Sequence, residues 1–314
     1  MNIDNGTMQC SPSHVTNFKK YNTCFDLLAL QNLARSWNIT NPKNKIKNIL
    51  KLSKTNLYNE IQTKMKNICG NDTGACWVAN LGNGINSPEG KSIRPLQPTS
   101  WRKNHYEWLS NEDIDRQLRQ YNFTEEPSYK YHFLGVFPID FELKTDFGTC
   151  LYDSICSLNL SKVLKNGIYY IGMVTNLDKH NEPGSHWTSI FISINPSSPS
   201  FGIYYYDSIT NKPPVEINNF MKRMQDQAKN LPNPQGKNFR IAFNNNRHQR
   251  GSSECGMFST YHQILWIEKL RENPSITFED IIKIPVDDQY MQNMRDLLFP
   301  VVEKKITRRN IKKK

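Results

Sequence analysis

Cys255 opens an apolar, helix-patterned stretch, CGMFSTYHQILWIEKL, directly after the polar loop NNNRHQRGSSE. A thiol at a helix N-terminus meets unpaired backbone N–H groups and the positive end of the macrodipole, and both favour the thiolate. A thiolate can attack an acyl carbon when an imidazole beside it carries the proton and a further group orients that imidazole. Gln249, six residues upstream, supplies an amide of the kind that stabilises an oxyanion.

Seven histidines compete for the imidazole role. His14 lies in a polar start expected to be disordered. His105 and His132 have no carboxylate placed by an evident pairing. His262 sits two helical turns beyond Cys255 on the same stretch, out of reach of the thiol. His180 belongs to a turn-rich loop, and His248 lies beside Gln249, where it could approach the site. His186 is the best placed. It follows the Pro183-Gly184-Ser185 turn and begins a strand, HWTSIFISI, that PSSPS joins to a second strand, FGIYYY. Such a pair forms an antiparallel hairpin, in which the start of one strand faces the end of the other. Asp207, at the end of the second strand, then stands beside His186. Alone, a histidine at a strand start is more often structural; with Asp207 and Cys255 the balance reverses.

The elements that must hold these residues follow from periodicity. Trp108-Leu109-Ser110-Asn111 precedes a helix with Ile114 and Leu118 on one face. HFLGVFPIDF is an apolar segment interrupted by proline, 149–164 reads as a short helix, and IYYIGMVT as a buried strand. A helix carrying Ile217, Phe220, Met221 and Met224 comes next, then the strand NFRIAF, the helix from Cys255 ended by Pro274, and a final helix over Asp288–Leu298. The pattern predicts an α+β fold with helices packed on a mixed sheet.

At these residues the chain resembles the clan of cysteine peptidases that contains the SUMO-specific proteases and the adenovirus protease. GSHWTSIFI, YYYDS and RHQRGSSECGMFS carry the likeness, in the order His-Trp, Asp, Gln, five residues, Cys-Gly. It covers roughly residues 105–300 and lies nearest the viral, polyprotein-processing branch. It implies a ubiquitin-like-protein protease type of fold, with a mixed central sheet flanked by helices. It also implies roles: Cys255 as nucleophile, His186 as its ion-pair partner and acid, Asp207 as orienting group, and Gln249 with the Cys255 N–H as oxyanion donors. A viral member with Asn where Asp207 stands implies that Asp207 matters less than the other three. Trp108, Asn111, Trp187 and Gly256 fall at substrate-binding positions; in the clan the aromatic residues clamp a Gly-Gly stretch, while by themselves they read as core packing. Gly256 would leave room for substrate backbone. The substrate is then a viral structural polyprotein, or a SUMO-like or ubiquitin-like conjugate, and no cofactor or metal is implied. Two other readings stay open: an inactive binding module, and acyl transfer to a Lys or Ser acceptor. The likeness places the protein in host cytoplasm or a viral factory, or packaged in the virion.

Composition frames this reading. The 314 residues carry a net charge of +11. Seven of those excess charges lie in Lys304–Lys314, a tail without acid that reads either as a solvated end or as an arm for DNA or an acidic partner. The polar start suggests no signal peptide, and no run is long enough to insert in a membrane. An odd number of irregularly spaced cysteines, seven in all, argues for reduced thiols in a cytosol-like compartment. The expected domains are a helical N-terminal region over 1–81 with a disordered start, a Gly/Pro-rich linker over 82–100, a cysteine protease domain over 101–303 and the basic tail over 304–314. In the first of these, Leu27, Leu30, Ala34 and Trp37, then Leu57, Ile61, Met65 and Ile68 after an N-cap at Ser53, mark two helices of a small bundle that faintly resembles the DNA-binding modules called SAP domains and reads more plainly as a helical protein-docking domain.

Overall fold

In the computed structural model, which describes residues 9–71, 74–84, 86–122, 129–232 and 236–302, the chain divides into two units. One comprises Met1–Thr99 with Asp296–Lys314, the other Ser100–Arg295.

The first unit contains α1 (Val15–Tyr21), α2 (Leu27–Thr40), α3 (Lys54–Cys69), α4 (Ala75–Leu81) and α5 (Pro88–Ser92). Asp26 caps α2 by accepting from Ala29 N at 2.7 Å, and Ser53 caps α3 by accepting from Asn56 N. The apolar faces of the two helices meet in a core of Leu30, Leu33, Ala34, Trp37, Leu57, Ile61 and Met65. The segment expected as a linker is built into this unit. Ser87 caps α5, with Pro88 at its first position, where a missing N–H costs nothing. The Cys10 backbone bridges Ile93, and Ser11 N donates to Ser92 O at 3.0 Å, so part of the start is ordered as well. Glu89 is fully buried and accepts from Asn83 N and Nδ2, both at 2.9 Å. Burial opposes its charge, but these bonds and others from Asn32 and Ser87 outweigh it and hold the carboxyl below the usual range. The tail over 304–314 lies outside the described residues.

The expectation of reduced thiols is corrected. Cys10–Cys24, Cys69–Cys76 and Cys150–Cys156 form disulfides, with Cα–Cα separations of 5.1, 5.7 and 6.3 Å. Chain turns bring each pair together, as where α3 ends at Cys69 and α4 holds Cys76, and irregular spacing conceals this. Cys255 is the free cysteine.

The second unit contains α6 (Asn111–Arg119), β1 (Tyr131–Phe137), α7 (Asp153–Cys156), α8 (Leu160–Lys165), β2 (Tyr170–Asn176), β3 (Trp187–Ser193), β4 (Gly202–Tyr206), α9 (Val215–Ala228), β5 (Arg240–Phe243), α10 (Cys255–Glu272), α11 (Phe278–Ile282) and most of α12 (Asp288–Leu298). The five strands form one sheet in the order β1-β2-β3-β4-β5. The β1/β2 and β4/β5 pairs are parallel, and β2/β3 and β3/β4 antiparallel. This is the mixed sheet flanked by helices that the sequence predicts. Two details differ. The segment before Pro138 is a strand, and the single helix expected over 149–164 is two short ones broken at 157–159.

Strands β2, β3 and β4 are buried on both faces, because helices cover each side. On one face Ile190, Ile192, Ile203 and Tyr205 meet Ile217, Phe220, Met221 and Met224 of α9. On the other lies α10, whose Trp266 stacks on Phe191 with ring centroids 4.7 Å apart. Gln263 of α10 accepts from Tyr131 OH and donates to Ile190 O, both at 3.0 Å. The register places Phe137 opposite Thr175, Asn176 opposite Trp187, Ser189 opposite Tyr206, and Tyr205 opposite Phe243. One edge of the sheet therefore collects the ends of β1, β2, β4 and β5 and the start of β3.

Candidate active site

His186 emerges at that edge, one residue before β3. Its carbonyl accepts from Leu177 N at 3.0 Å, which continues the β2/β3 ladder. The preceding loop is folded around Asn176, whose Oδ1 accepts from Asp178 N and Ser185 N. Gly184 has φ +92°, and a Cβ there would stand 2.8 Å from Asn176 Nδ2; both the conformation and the approach require glycine. Asp140 pins the far side of the loop through the His180 N–H and ring.

Asp207 follows β4 directly and is fully buried. Its Oδ1 accepts from Ile209 N at 2.9 Å and lies 2.8 Å from His186 Nε2. Asn244, just after β5, brackets it: Asn244 Oδ1 accepts from Asp207 N at 2.9 Å and Asn244 Nδ2 donates to Asp207 O at 2.8 Å. The carboxylate is thus fixed by its own backbone before it meets the ring. Burial by itself would lower the His186 pKa, but hydrogen bonds and charges from Asp207 and Cys255 override it and raise the value to about 9. The imidazole is a cation at neutral pH.

Cys255 is the first residue of α10, 1% exposed, and near enough to His186 to help raise its pKa. The loop before it is tied down at several points. Ser208 O accepts from both His248 N and Gln249 N at 3.0 Å, and the Asp288 carboxylate accepts from Arg250 N and Gly251 N at 2.9 and 3.1 Å. The Gln249 side chain is buried. Its Oε1 accepts from Ser208 Oγ at 2.6 Å and its Nε2 donates to Gly251 O at 3.0 Å.

Trp187 is buried, and its indole N–H donates to Leu109 O at 3.0 Å. A Cβ on Gly256 would stand 3.0 Å from Leu109 Cβ and 3.1 Å from Trp187 Cδ1. Gly256 is therefore small because Leu109 and Trp187 pack on it, and the space expected for substrate backbone is filled by those side chains. Trp187 is a packing residue that ties the 108–111 segment to the head of α10. Trp108 remains 43% exposed, beside a neighbour that is fixed. Asn111 opens α6 after the Ser110–Asp113 capping box; it lines a shallow groove of about 400 Å³ with Arg119 and residues 134–137 of β1.

The remaining histidines are occupied elsewhere. His262 is buried against Ser189 Oγ at 2.9 Å, and burial pushes its pKa down to about 3. His248 shares its ring with Tyr206 OH and Ile282 O.

Three features of the site escape sequence reasoning. Ser208 and Asn244, which hold Gln249 and Asp207, look like ordinary turn residues. Glu254, the buried residue just before the nucleophile, pairs with buried Arg295 at 3.1 Å. Arg295 also donates to Glu107 O at 2.7 Å and stacks over Trp101, so the negative charge behind the thiol is matched. The Glu-Cys-Gly triplet is visible in the sequence, but nothing there links it to an arginine some forty residues on.

A thiol on a buried helix head, paired with a cationic imidazole at a sheet edge, defines the chain by class as a cysteine peptidase. Comparison with known proteins agrees with that class: residues 167–309 match the Ulp1 protease family, C-terminal catalytic domain. It is 26% identical over 307 residues to a protein of Acanthamoeba polyphaga mimivirus named as a thiol protease, covering 92% of each chain. It is 29% identical over 140 residues to a cysteine protease of African swine fever virus, covering 45% of this chain and 47% of that one. The crystal structure of that virus's protease superposes with a TM-score of 0.58 at 19% identity, covering 96% of this chain and 98% of the other. The fold is thus shared across both units.

Proposed function

We propose that the protein is an endopeptidase that cuts after small, Gly-Gly-type sites in a viral structural polyprotein. The observation that carries this reading is the His186 ring at one sheet edge, hydrogen-bonded to Asp207 and with Cys255 close enough to help raise its pKa. In the proposed reaction the Cys255 sulfur attacks the scissile carbonyl carbon and the carbonyl π electrons move onto oxygen. Gln249 Nε2–H and the Cys255 backbone N–H stabilise that oxyanion. On collapse the C–N bond breaks, and imidazolium His186 gives its proton to the leaving amine. Water, deprotonated by the now neutral His186, attacks the thioester and releases the acid and the thiol. Asp207 keeps the ring oriented and stabilises its cationic form throughout.

Trp108, exposed beside the anchored Leu109, is assigned to the wall that holds the glycines. Asn111, at the mouth of the groove along β1, is assigned to substrate further from the cut. We place the protein in a viral factory or the virion, and assign the Lys304–Lys314 tail to DNA or an acidic partner on the strength of its charge. Removal of residues 304–314 is expected to weaken duplex DNA binding and flatten its salt dependence; unchanged binding would discard the arm.

A second reading, a deconjugase of SUMO-like proteins, draws support from relatives that bear the name SUMO-1 cysteine protease. A peptide with an internal Gly-Gly-X site is expected to be cut under both readings. A SUMO or ubiquitin vinyl sulfone is expected to leave Cys255 unmodified under the first and to label it under the second. Failure to cut any Gly-Gly-X peptide would remove both.

A further inference from the structure

We infer that Ser208 is a positioning residue that sets which face of the Gln249 amide meets the substrate, an inference that rests on the oxyanion role proposed above. A carboxamide has two nearly isosteric ends, and only the NH2 end can stabilise an oxyanion. The orientation here is over-determined. Gly251 O is a pure acceptor, so the end 3.0 Å from it must be Nε2. The other end, Oε1, then needs a donor, and Ser208 Oγ supplies one at 2.6 Å. Both side chains are buried, at 0% and 2% exposure, so water does not compete for either bond. A flipped amide would set Oε1 against the Gly251 carbonyl oxygen, with nothing to offset the repulsion.

The geometry also leaves the amide able to act. Nε2 carries two hydrogens, and Gly251 O takes one. Among the described residues no acceptor takes the other, which is free for an oxyanion. Ser208 is coupled to the rest of the site through its backbone, since it follows Asp207 and its carbonyl receives the N–H groups of His248 and Gln249 at 3.0 Å. One residue thereby locks the loop and the amide together, directly after the carboxylate that orients His186.

The test is a double-mutant cycle on Gly-Gly-X peptide hydrolysis, read as kcat and KM, with the rate of iodoacetamide alkylation of Cys255 as a second measurement. Alkylation needs the thiolate but no oxyanion donor. Gln249→Ala is expected to lower kcat by about 10²–10³-fold, the usual loss for one oxyanion donor. Ser208→Ala is expected to lower kcat by about tenfold, the population shift that one net hydrogen bond supports, with KM little changed. Added to Gln249→Ala, Ser208→Ala should cost nothing further, and Ser208→Thr, which keeps the donor, should stay close to wild type. Alkylation should be unchanged in each variant. The inference is overturned if Ser208→Ala leaves kcat intact, if its loss adds to that of Gln249→Ala, or if alkylation falls in step with hydrolysis. If Gln249→Ala alone is harmless, it is the oxyanion role of Gln249 that fails.

Discussion

Replacing Asp207 by Asn isolates the charge of the orienting group while keeping its shape. Oδ1 accepts from both His186 Nε2 and Ile209 N, so an Asn that presents its oxygen there retains both bonds and the ring orientation. What is lost is the negative charge. The raised His186 pKa, about 9 against an ordinary 6.5, corresponds to roughly 3 kcal/mol favouring the imidazolium. Asp207 and Cys255 both favour that charge against the opposing effect of burial, so removing the Asp207 charge should lower the His186 pKa. The variant's imidazolium should therefore titrate at a lower pH than the wild type's. The assay is the pH profile of kcat/KM on a Gly-Gly-X peptide. Near pH 6 the ring is charged in both proteins and the variant should lag only a few-fold. At pH 8.5 the wild type, with its pKa of about 9, keeps most of its imidazolium and the variant less, so the gap should widen beyond its value at pH 6. Stability follows the same sign. His186 gains its proton's affinity on folding, so its contribution is complete below about pH 6.5 and lost as pH rises through about 9. Thermal denaturation should separate the proteins most at acidic pH and least above 9. An alkaline limb unmoved by the substitution would refute this electrostatic account.

Other perturbations test the scaffold. Arg295→Ala leaves Glu254 buried without its cation and should destabilise by about 3–5 kcal/mol in chemical denaturation, whereas Glu254→Gln with Arg295→Met should recover most of that; equal losses would show that the pairing is incidental. Gly256→Ala must displace Leu109 and Trp187 by a few tenths of an ångström, and should lower kcat/KM by about tenfold with a fall of only a few degrees in Tm. Cys10→Ser with Cys24→Ser opens a loop of sequence separation 14 and should cost about 3 kcal/mol in non-reducing denaturation; unchanged stability would argue against that disulfide.

The residues that meet at the sheet edge are legible because each announces itself locally. Cys255 heads a helical pattern after a polar loop, and His186 and Asp207 stand at opposite ends of two strands joined by a short turn, so one pairing rule brings them together. Where the signal is non-local, sequence reasoning stops. The parallel pairing of β1 with β2 depends on residues some forty positions apart, and β1 is disguised by the bulge between Phe133 and Gly135 and by Pro138. Asn244, Ser208 and Arg295 carry common residue types whose partners only the fold supplies. Gly/Pro-rich composition suggests a linker over 82–100, yet the buried Glu89 and the backbone pairing to Cys10 bind that segment to its unit. Gly256 and Trp187 stand out in the sequence as neighbours of Cys255 and His186, but their packing on Leu109 shows only when the 108–111 segment is brought in from far upstream.

Cys255 is proposed as the nucleophile of a peptidase. Steady-state hydrolysis of an internally quenched Gly-Gly-X peptide, compared between the full chain and its Cys255→Ala variant, tests this most directly. Turnover by the full chain and a fall to background in the variant are expected. Equal hydrolysis by the two proteins would contradict the proposal.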